Sequence, residues 1–242
     1  MTGQTAAPTA IKAPDATLML KVFYAFAALA VISVAISLGG KMAGSSIIMA
    51  GHTDSTTTHE IVIGNNVISA QENAIRFEHA RRDGVAERLD LYLHWPDMQG
   101  YSDGARDDFN HAGRSRRILF LSFEHRIMSR DMSGRFDPIY RSLIAQPGRT
   151  GPAGLTVYEF TAASGYVGET LVAAPRANMA PFVARCLTGA AADESLAPCE
   201  RDIHVGDNLS LTYRFPRELL ANWQGLEAGV TREAVRLLQT AR

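Results

Sequence analysis

A run of nineteen uncharged residues between Lys21 and Lys41 constrains this chain more than any other feature of its sequence. As an α-helix the run would measure about 28 Å, close to the roughly 30 Å hydrocarbon thickness of a bilayer. It extends toward the N-terminus through residues 17–20, because a lysine beside it can reach the headgroups while its stem stays among apolar neighbours. We therefore predict a single transmembrane helix over residues 17–40.

A cleaved signal peptide is the alternative interpretation of the same stretch. A secretory apolar region usually has about 7–15 residues, which is shorter than this one. Small residues at Ala35 and Ser37, or at Ser37 and Gly39, nevertheless satisfy the pattern of a cleavage site. Both interpretations place the remainder of the chain outside the cytoplasm.

The flanking lysines give an expected orientation. Lys12 and Lys21 precede the apolar stretch and Lys41 follows it, which favours a cytoplasmic N-terminus by one charge. Four regions follow: a short disordered cytoplasmic tail at 1–16, the transmembrane helix at 17–40, a polar linker at 41–59 and an exported globular domain at 60–242.

The two cysteines agree with export. Cys186 and Cys199 are the only cysteines, and the residues between them form a short polar loop. A minimal, even number of cysteines closing one loop suits an oxidising compartment, so we predict a structural disulfide between them. Two unpaired thiols in a cytosolic domain are the alternative.

Composition indicates an ordinary folded domain. The chain is 46% hydrophobic and 20% charged, with a formal net charge of −1. These values differ from those of a disordered tail and of a basic nucleic-acid-binding domain, so we expect no nucleic-acid partner.

Alternation of apolar and polar residues predicts a mainly antiparallel sheet. Over residues 88–95 the odd-numbered positions are apolar and would face the core, whereas Asp90, Tyr92 and His94 would face the other way. Further strands are predicted over 117–124, 155–161, 166–172, 181–186 and 208–215, and a first hairpin joins 60–63 to 67–68.

Two helices accompany the sheet. Asp137 and Pro138 form an N-cap with proline at the first helical position, which predicts a short helix reaching Ile144. Beyond Pro216, apolar residues recur every three or four positions as far as Leu237, which predicts an amphipathic helix packed on the sheet. The predicted fold class is α+β, with a β-dominated antiparallel domain and this C-terminal helix.

The loop at 103–111 holds the strongest cluster of potential metal ligands. Its carboxylate, amide and imidazole side chains belong to Asp103, Asp107, Asp108, Asn110 and His111. Such groups bind divalent cations, but they lack the ordered spacing of a calcium loop and equally suit a solvated turn. We therefore assign no metal, cofactor or catalytic residue. A metal-dependent hydrolase remains the alternative function, and a shared cleft with His94 or His125 would favour it.

No other motif specifies a reaction. Ser102 has the glycine spacing of a nucleophile elbow, but a polar loop follows where that motif requires a helix. Glu124 and His125 are neighbours on a predicted strand, so their side chains would face opposite ways.

Two surface interpretations stay open. Residues 95–101 place Trp and Tyr around a proline, which suits either a groove for a sugar or peptide or simply a buried strand end. Residues 76–149 hold thirteen arginines and eleven carboxylates. They would form either a phosphate-binding patch or interspersed surface ion pairs.

The layout of anchor, linker and domain, without a recognisable catalytic set, predicts a single-pass envelope protein of the cytoplasmic membrane. Its exported domain would bind a partner protein or an envelope polymer, and we expect no enzymatic activity. A transmembrane sensor is a third class. About sixteen cytoplasmic residues leave no space for an output domain, so we disfavour it.

Overall fold

The first element is a helix, α1, that spans Ala16–Met49 and contains 34 residues. No proline lies between Pro14 and Pro96, so nothing in this stretch removes a backbone hydrogen-bond donor from the helix. This computed structural model describes residues 16–49, 51–111 and 116–239. The chain divides into two compact units, Met1–Ala50 and Gly51–Arg242.

The transmembrane span predicted over residues 17–40 is not supported. In the part of the chain that the structure describes, no helix is both long enough and apolar enough to cross a membrane.

The expected boundaries around that span also differ from the structure. Helix α1 continues to Met49, so residues 41–49 of the expected polar linker are helical. The expected disordered tail at 1–16 lies outside the described residues except for its last position.

The second unit is built on strands, and the α+β class with an antiparallel sheet is confirmed. Their bounds are β1 Thr58–Ile63, β2 Asn66–Gln71, β3 Gly84–Val85, β4 Arg88–His94, β5 Ile118–His125, β6 Arg149–Thr150, β7 Thr156–Glu159, β8 Glu169–Arg176, β9 Met179–Leu187, β10 Cys199–Val205 and β11 Leu209–Phe215. Eight of them form one sheet in the order β4-β5-β11-β10-β9-β8-β7-β6, in which every neighbouring pair is antiparallel. A smaller sheet has the order β2-β1-β3.

Short helices connect the strands, and one longer helix closes the unit. Their bounds are α2 Arg106–Phe109, α3 Arg141–Leu143, α4 Gly189–Glu194 and α5 Trp223–Leu237. A π-helical turn, Phe136–Tyr140, leads into α3, and a 3-10 turn, Arg217–Asn222, leads into α5. Both helical segments predicted from the sequence are therefore present.

Helix α5 packs on the sheet through the apolar stripe that the sequence predicts. Its buried side chains are Trp223, Leu226, Val230, Ala234 and Leu237, and they share one core with residues of both sheets. Burial of a large apolar side chain contributes about 1.5–3 kcal/mol. Gly229 belongs to the contact because a Cβ there would lie 3.0 Å from Cζ3 of Trp95.

A second, smaller cluster covers the other face of the same sheet. Phe136, Tyr140 and Ile144 from the π-turn and its extension pack against side chains of β8 and β9, including Leu171 and Val183. Burial raises the pKa of the Tyr140 hydroxyl to about 12. The β7–β8–β9 end of the sheet therefore has apolar residues on both faces.

Strand β10 does not appear among the sequence predictions. It follows the cysteine loop, and Cys199 at its start is bonded to Cys186 on β9, as predicted from the sequence. Arg201 occupies a buried position of this strand where the alternation requires an apolar residue, so the apolar period does not predict the strand.

Candidate functional site

Strands β9 and β10 diverge soon after the disulfide. Their ladder contains two residue pairs, Cys199 with Cys186 and Glu200 with Arg185. Beyond that point β10 pairs with β11 alone, while β9 continues with β8. Backbone carbonyls that are buried in a protein require hydrogen-bond partners, so this fork must be filled by polar groups.

Two side chains satisfy the carbonyls of β9 inside the fork. Nη1 of Arg201 donates to the carbonyl oxygen of Val183 at 2.8 Å. Oγ of Ser133 donates to the carbonyl oxygen of Pro181 at 2.6 Å. The guanidinium of Arg201 also lies 4.8 Å from the ring centre of Phe182. Arg201 is only 1% exposed. Arg201 thus replaces part of the missing ladder.

A carboxylate from helix α5 balances this buried cation. Oε1 of Glu227 accepts a hydrogen bond from Nη2 of Arg201 at 2.7 Å and another from Nη1 of Arg176 at 2.6 Å. Arg176 is the last residue of β8, and its Nε donates to the carbonyl oxygen of Ala180. One carboxylate therefore connects the β8–β9 hairpin, strand β10 and helix α5, and two cations share a single negative charge.

One tyrosine beside this cluster has a raised pKa. Tyr213, on β11 beside Arg201, has its hydroxyl in the protein interior, and burial raises the pKa of that hydroxyl above its ordinary value. The phenol stays neutral at physiological pH, so it adds no negative charge to the cluster.

A groove of about 810 Å³ lies over this ion network, between helix α5 and the tip of the β8–β9 hairpin. Its walls are formed by Pro175, Arg176, Ala177, Met179, Trp223, Gln224, Glu227, Ala228, Thr231, Arg232 and Val235. Met179 on the hairpin is 64% exposed, and Val235 on the helix is 61% exposed. The groove thus has apolar rims and a charged floor that is fixed by hydrogen bonds.

A smaller cavity of about 280 Å³ lies on the other side of the hairpin. Pro175, Arg176 and Met179 line both spaces, so the hairpin is a wall between them. Asp137 and Arg141 line the smaller cavity and form an ion pair with each other at 2.6 Å. The three charged residues that line it, Asp137, Arg141 and Arg176, are all in ion pairs.

The groove presents charges that are held in place by ion pairs. Glu227 accepts hydrogen bonds from the guanidinium groups of Arg176 and Arg201. Exposed apolar side chains lie above these charges at Met179 and Val235.

The structure brings His94 to the 103–111 loop, as the hydrolase interpretation would require. Nε2 of His94 lies 2.9 Å from Oδ2 of Asp108, and Nδ1 lies 2.9 Å from Oδ1 of Asp97. Both ring nitrogens are therefore occupied by carboxylates that lie on opposite sides of the imidazole. The arrangement attaches α2 to the end of β4.

The remaining loop residues do not converge on one point. Asp103 pairs with Arg106 at 2.8 Å, and Asp107 is exposed. Across residues 16–49, 51–111 and 116–239, no group of three or more His, Cys, Asp or Glu side chains is arranged to hold a metal ion.

The other catalytic candidates are separated in space. His125 is the last residue of β5, where a Cβ on Gly64 would lie 2.5 Å from its ring. His94 lies at the opposite end of β5, where it pairs with Ile118. Seven residues of strand separate the two ends, about 23 Å. Glu124 pairs with Arg88 at 3.6 Å. Ser102 has an extended backbone and precedes a 3-10 turn, with no strand leading into it.

The aromatic and arginine-rich segments serve the fold. Trp95 packs against helix α5 at Gly229, and Tyr101 is fully buried. Within 76–149, arginines form ion pairs with nearby carboxylates, namely Arg88–Asp90, Arg106–Asp103, Arg135–Asp202, Arg141–Asp137 and Arg149–Glu159. These contacts favour interspersed pairing over a phosphate-binding patch.

Reasoning from the sequence did not find the groove, for a physical reason. The ion network of the groove joins residues of three elements that are far apart in the chain, namely Arg176, Arg201 and Glu227. In the sequence, each of them resembles an ordinary surface charge. One signal was available. Glu227 directly follows Leu226, which belongs to the apolar stripe of α5, so Glu227 lies at the edge of the buried face.

Comparison with known proteins supports the fold. No protein-family model and no curated protein matches the chain. Among solved structures, it resembles an immunity protein of the Stenotrophomonas maltophilia type IV secretion system, with a TM-score of 0.50 and 14% identity. That alignment covers 78% of this chain and 96% of the other.

A second solved structure has a weaker likeness. It is the iron-regulated outer membrane lipoprotein FrpD of Neisseria meningitidis, with a TM-score of 0.41 and 8% identity. The alignment covers 76% of this chain and 97% of that one. At 14% identity the first likeness is one of fold alone, and at a TM-score of 0.41 the second carries no inference.

Proposed function

We propose that this chain is an exported envelope protein whose β-rich domain binds a partner protein without catalysing a reaction. The observation that carries the proposal is the groove between α5 and the β8–β9 hairpin. Its apolar rims are exposed at Met179 and Val235, and its floor is fixed by a carboxylate that three elements share. Rigid, preorganised surfaces bind partners with a smaller loss of conformational entropy.

The disulfide supports the exported location. Cys186 and Cys199 are bonded, and no free cysteine is present. Such bonds persist in oxidising compartments and are rare in the cytosol of mesophiles. The fold also resembles that of an immunity protein of a type IV secretion system, although fold alone does not establish function.

A photo-crosslinking experiment in cells tests the proposal. A photoreactive amino acid is placed in the full chain at position 179 or 235, on the two rims of the groove. Position 167 is the control, because Val167 is 90% exposed and precedes β8 at the end away from the hairpin tip. We expect one protein to crosslink from both rim positions and not from the control.

The crosslinked protein is then purified and titrated against the full chain. Met179→Asp places a charge on an apolar rim and should weaken binding by about tenfold or more, whereas Val167→Asp should not. Both positions are highly exposed, so neither change should unfold the domain. Equal binding by the wild-type chain and Met179→Asp would contradict the proposal.

A further inference from the structure

We infer that the partner segment in the groove is acidic and amphipathic, with a bulky apolar side chain between Met179 and Val235 and carboxylates facing the arginines. This inference rests on the function proposed above and specifies the chemistry of the partner. Three observations carry it: the charges of the floor, the charge on the rim and the position of the apolar side chains.

The ion network beneath the groove has an excess of positive charge. Arg176 and Arg201 share the one carboxylate of Glu227, so this network carries one uncompensated cation. Its environment is partly desolvated, because the side chains of Arg176 and Glu227 are each 16% exposed and that of Arg201 is 1% exposed. Charges in such surroundings are screened less by water and salt than surface charges are.

The rim adds a second cation. Arg232 lines the groove on the outer side of α5, is exposed, and forms no ion pair within the described part of the chain. Gln224 and Thr231, on the same helix, are neutral. Arg176 and Arg232 line the groove with one carboxylate, that of Glu227, and the guanidinium of Arg201 is buried behind that carboxylate. An occupant of complementary charge must therefore supply acidic groups.

The apolar rims distinguish a protein segment from a simple anion. Met179 and Val235 lie on the two walls, and the pyrrolidine of Pro175 and the methyl groups of Ala177 and Ala228 complete them. Methionine adapts its shape to varied apolar partners and is common at binding surfaces. A phosphate or a sulfated sugar would leave this apolar surface uncovered, whereas an amphipathic segment covers it.

Two synthetic peptides serve as probes. Each has about 14 residues, roughly four helical turns, with the same leucines at helical spacing. The remaining positions are glutamate in one peptide and lysine in the other. Fluorescence anisotropy measures their binding to the full chain, to Met179→Asp, to Arg232→Glu and to the control Val167→Asp.

We expect the glutamate peptide to bind and the lysine peptide to bind weakly or not at all. Arg232→Glu should weaken binding of the glutamate peptide by about tenfold and strengthen binding of the lysine peptide, because the charge on the rim is reversed. Met179→Asp should weaken binding of the glutamate peptide, and Val167→Asp should change the binding of neither peptide. Circular dichroism of each variant confirms that it is folded.

Equal binding of both peptides, or no response to Arg232→Glu, would overturn the acidic assignment. A different result would be that heparin binds as tightly as the glutamate peptide, with an affinity that Met179→Asp does not change. That result would identify a general anion site and would also overturn the acidic assignment. The crosslinked partner separates this failure from that of the proposed function. If Met179→Asp weakens binding of that partner and Arg232→Glu does not, the proposed function of the groove stands and the inference of an acidic partner segment is wrong.

Discussion

The 103–111 loop and the groove beside α5 are both polar clusters, but their charges come from different distances along the chain. In the loop, Asp103 pairs with Arg106 three residues later, and their side chains are 66% and 40% exposed. In the groove, Arg176, Arg201 and Glu227 come from β8, β10 and α5, and Arg201 is almost completely buried.

The difference shows why local clustering is a poor guide to function in this chain. Charges that are close in sequence can pair across one turn and remain in water, where each pair contributes little. Charges that converge from distant elements must be positioned by the whole fold. In the groove, this convergence fixes Glu227 through hydrogen bonds from Arg176 and Arg201.

Removal of Glu227 should have the largest effect on stability. Glu227→Ala leaves Arg201 buried without its carboxylate, which should cost about 3–5 kcal/mol of unfolding free energy. Urea unfolding of the full chain measures it. Glu218→Ala is the matched control, since Glu218 is exposed and lies 3.6 Å from Arg116, and it should cost less than about 1 kcal/mol. If both variants unfold at the same urea concentration, the network does not stabilise the fork.

Removal of Asp108 should have a smaller effect, because its contact is local and partly exposed. Asp108→Ala removes one of the two carboxylates that hold His94, and we expect a loss of about 1 kcal/mol in urea unfolding. Asp107→Ala, on an exposed neighbour, should change stability by less than about 0.5 kcal/mol.

The same pair of variants tests the functional side of the comparison. Binding of the crosslinked partner should be unchanged in Asp108→Ala, because the loop is no part of the groove. Loss of partner binding in this variant, with the fold intact, would transfer the recognition surface to the loop and reverse the comparison.

The smallest expected effect is a pH dependence near the loop. The ring of His52 stacks on Tyr101 at 4.8 Å, meets Phe109 edge-on, and lies 3.0 Å from the Tyr92 hydroxyl. Burial lowers the pKa of His52 in the folded state, and the charges of Arg81 and His111 lower it further, against a hydrogen bond with Asn110.

The sign follows from this lowered pKa. The unfolded chain then binds a proton more readily than the folded one, so stability is fully present above the ordinary histidine pKa of about 6.5 and decreases as the pH falls below it. Urea unfolding at successive pH values should show a shallower decrease in His52→Gln than in the wild-type chain. Identical profiles would show that His52 does not contribute to the pH dependence.

Much of the fold could be predicted because the relevant signals are local. The stripe from Trp223 to Leu237 and the alternation over 88–95 each express one period in consecutive residues. The disulfide was also predictable, since the chain offers only one pair of cysteines.

The rest depended on contacts between distant residues. Strand β10 contains Arg201 and Asp202, whose burial is made favourable by Glu227 and Arg135 from other elements. No local pattern encodes those partners, so the strand and the groove above it were both missed. The transmembrane prediction had a different weakness. It used the length of an uncharged run, and within the described residues no helix is both long enough and apolar enough to cross a membrane.

The fork between β9 and β10 also determines how the domain would respond to mechanical load. A partner that pulls on the hairpin tip would peel β9 away from β10 one bond at a time. The contacts of Ser133 and Arg201 with the β9 backbone would yield before the two-pair ladder. The covalent bond between Cys186 and Cys199 then stops the peeling, so that in an oxidising compartment the tear cannot travel past the base of the fork.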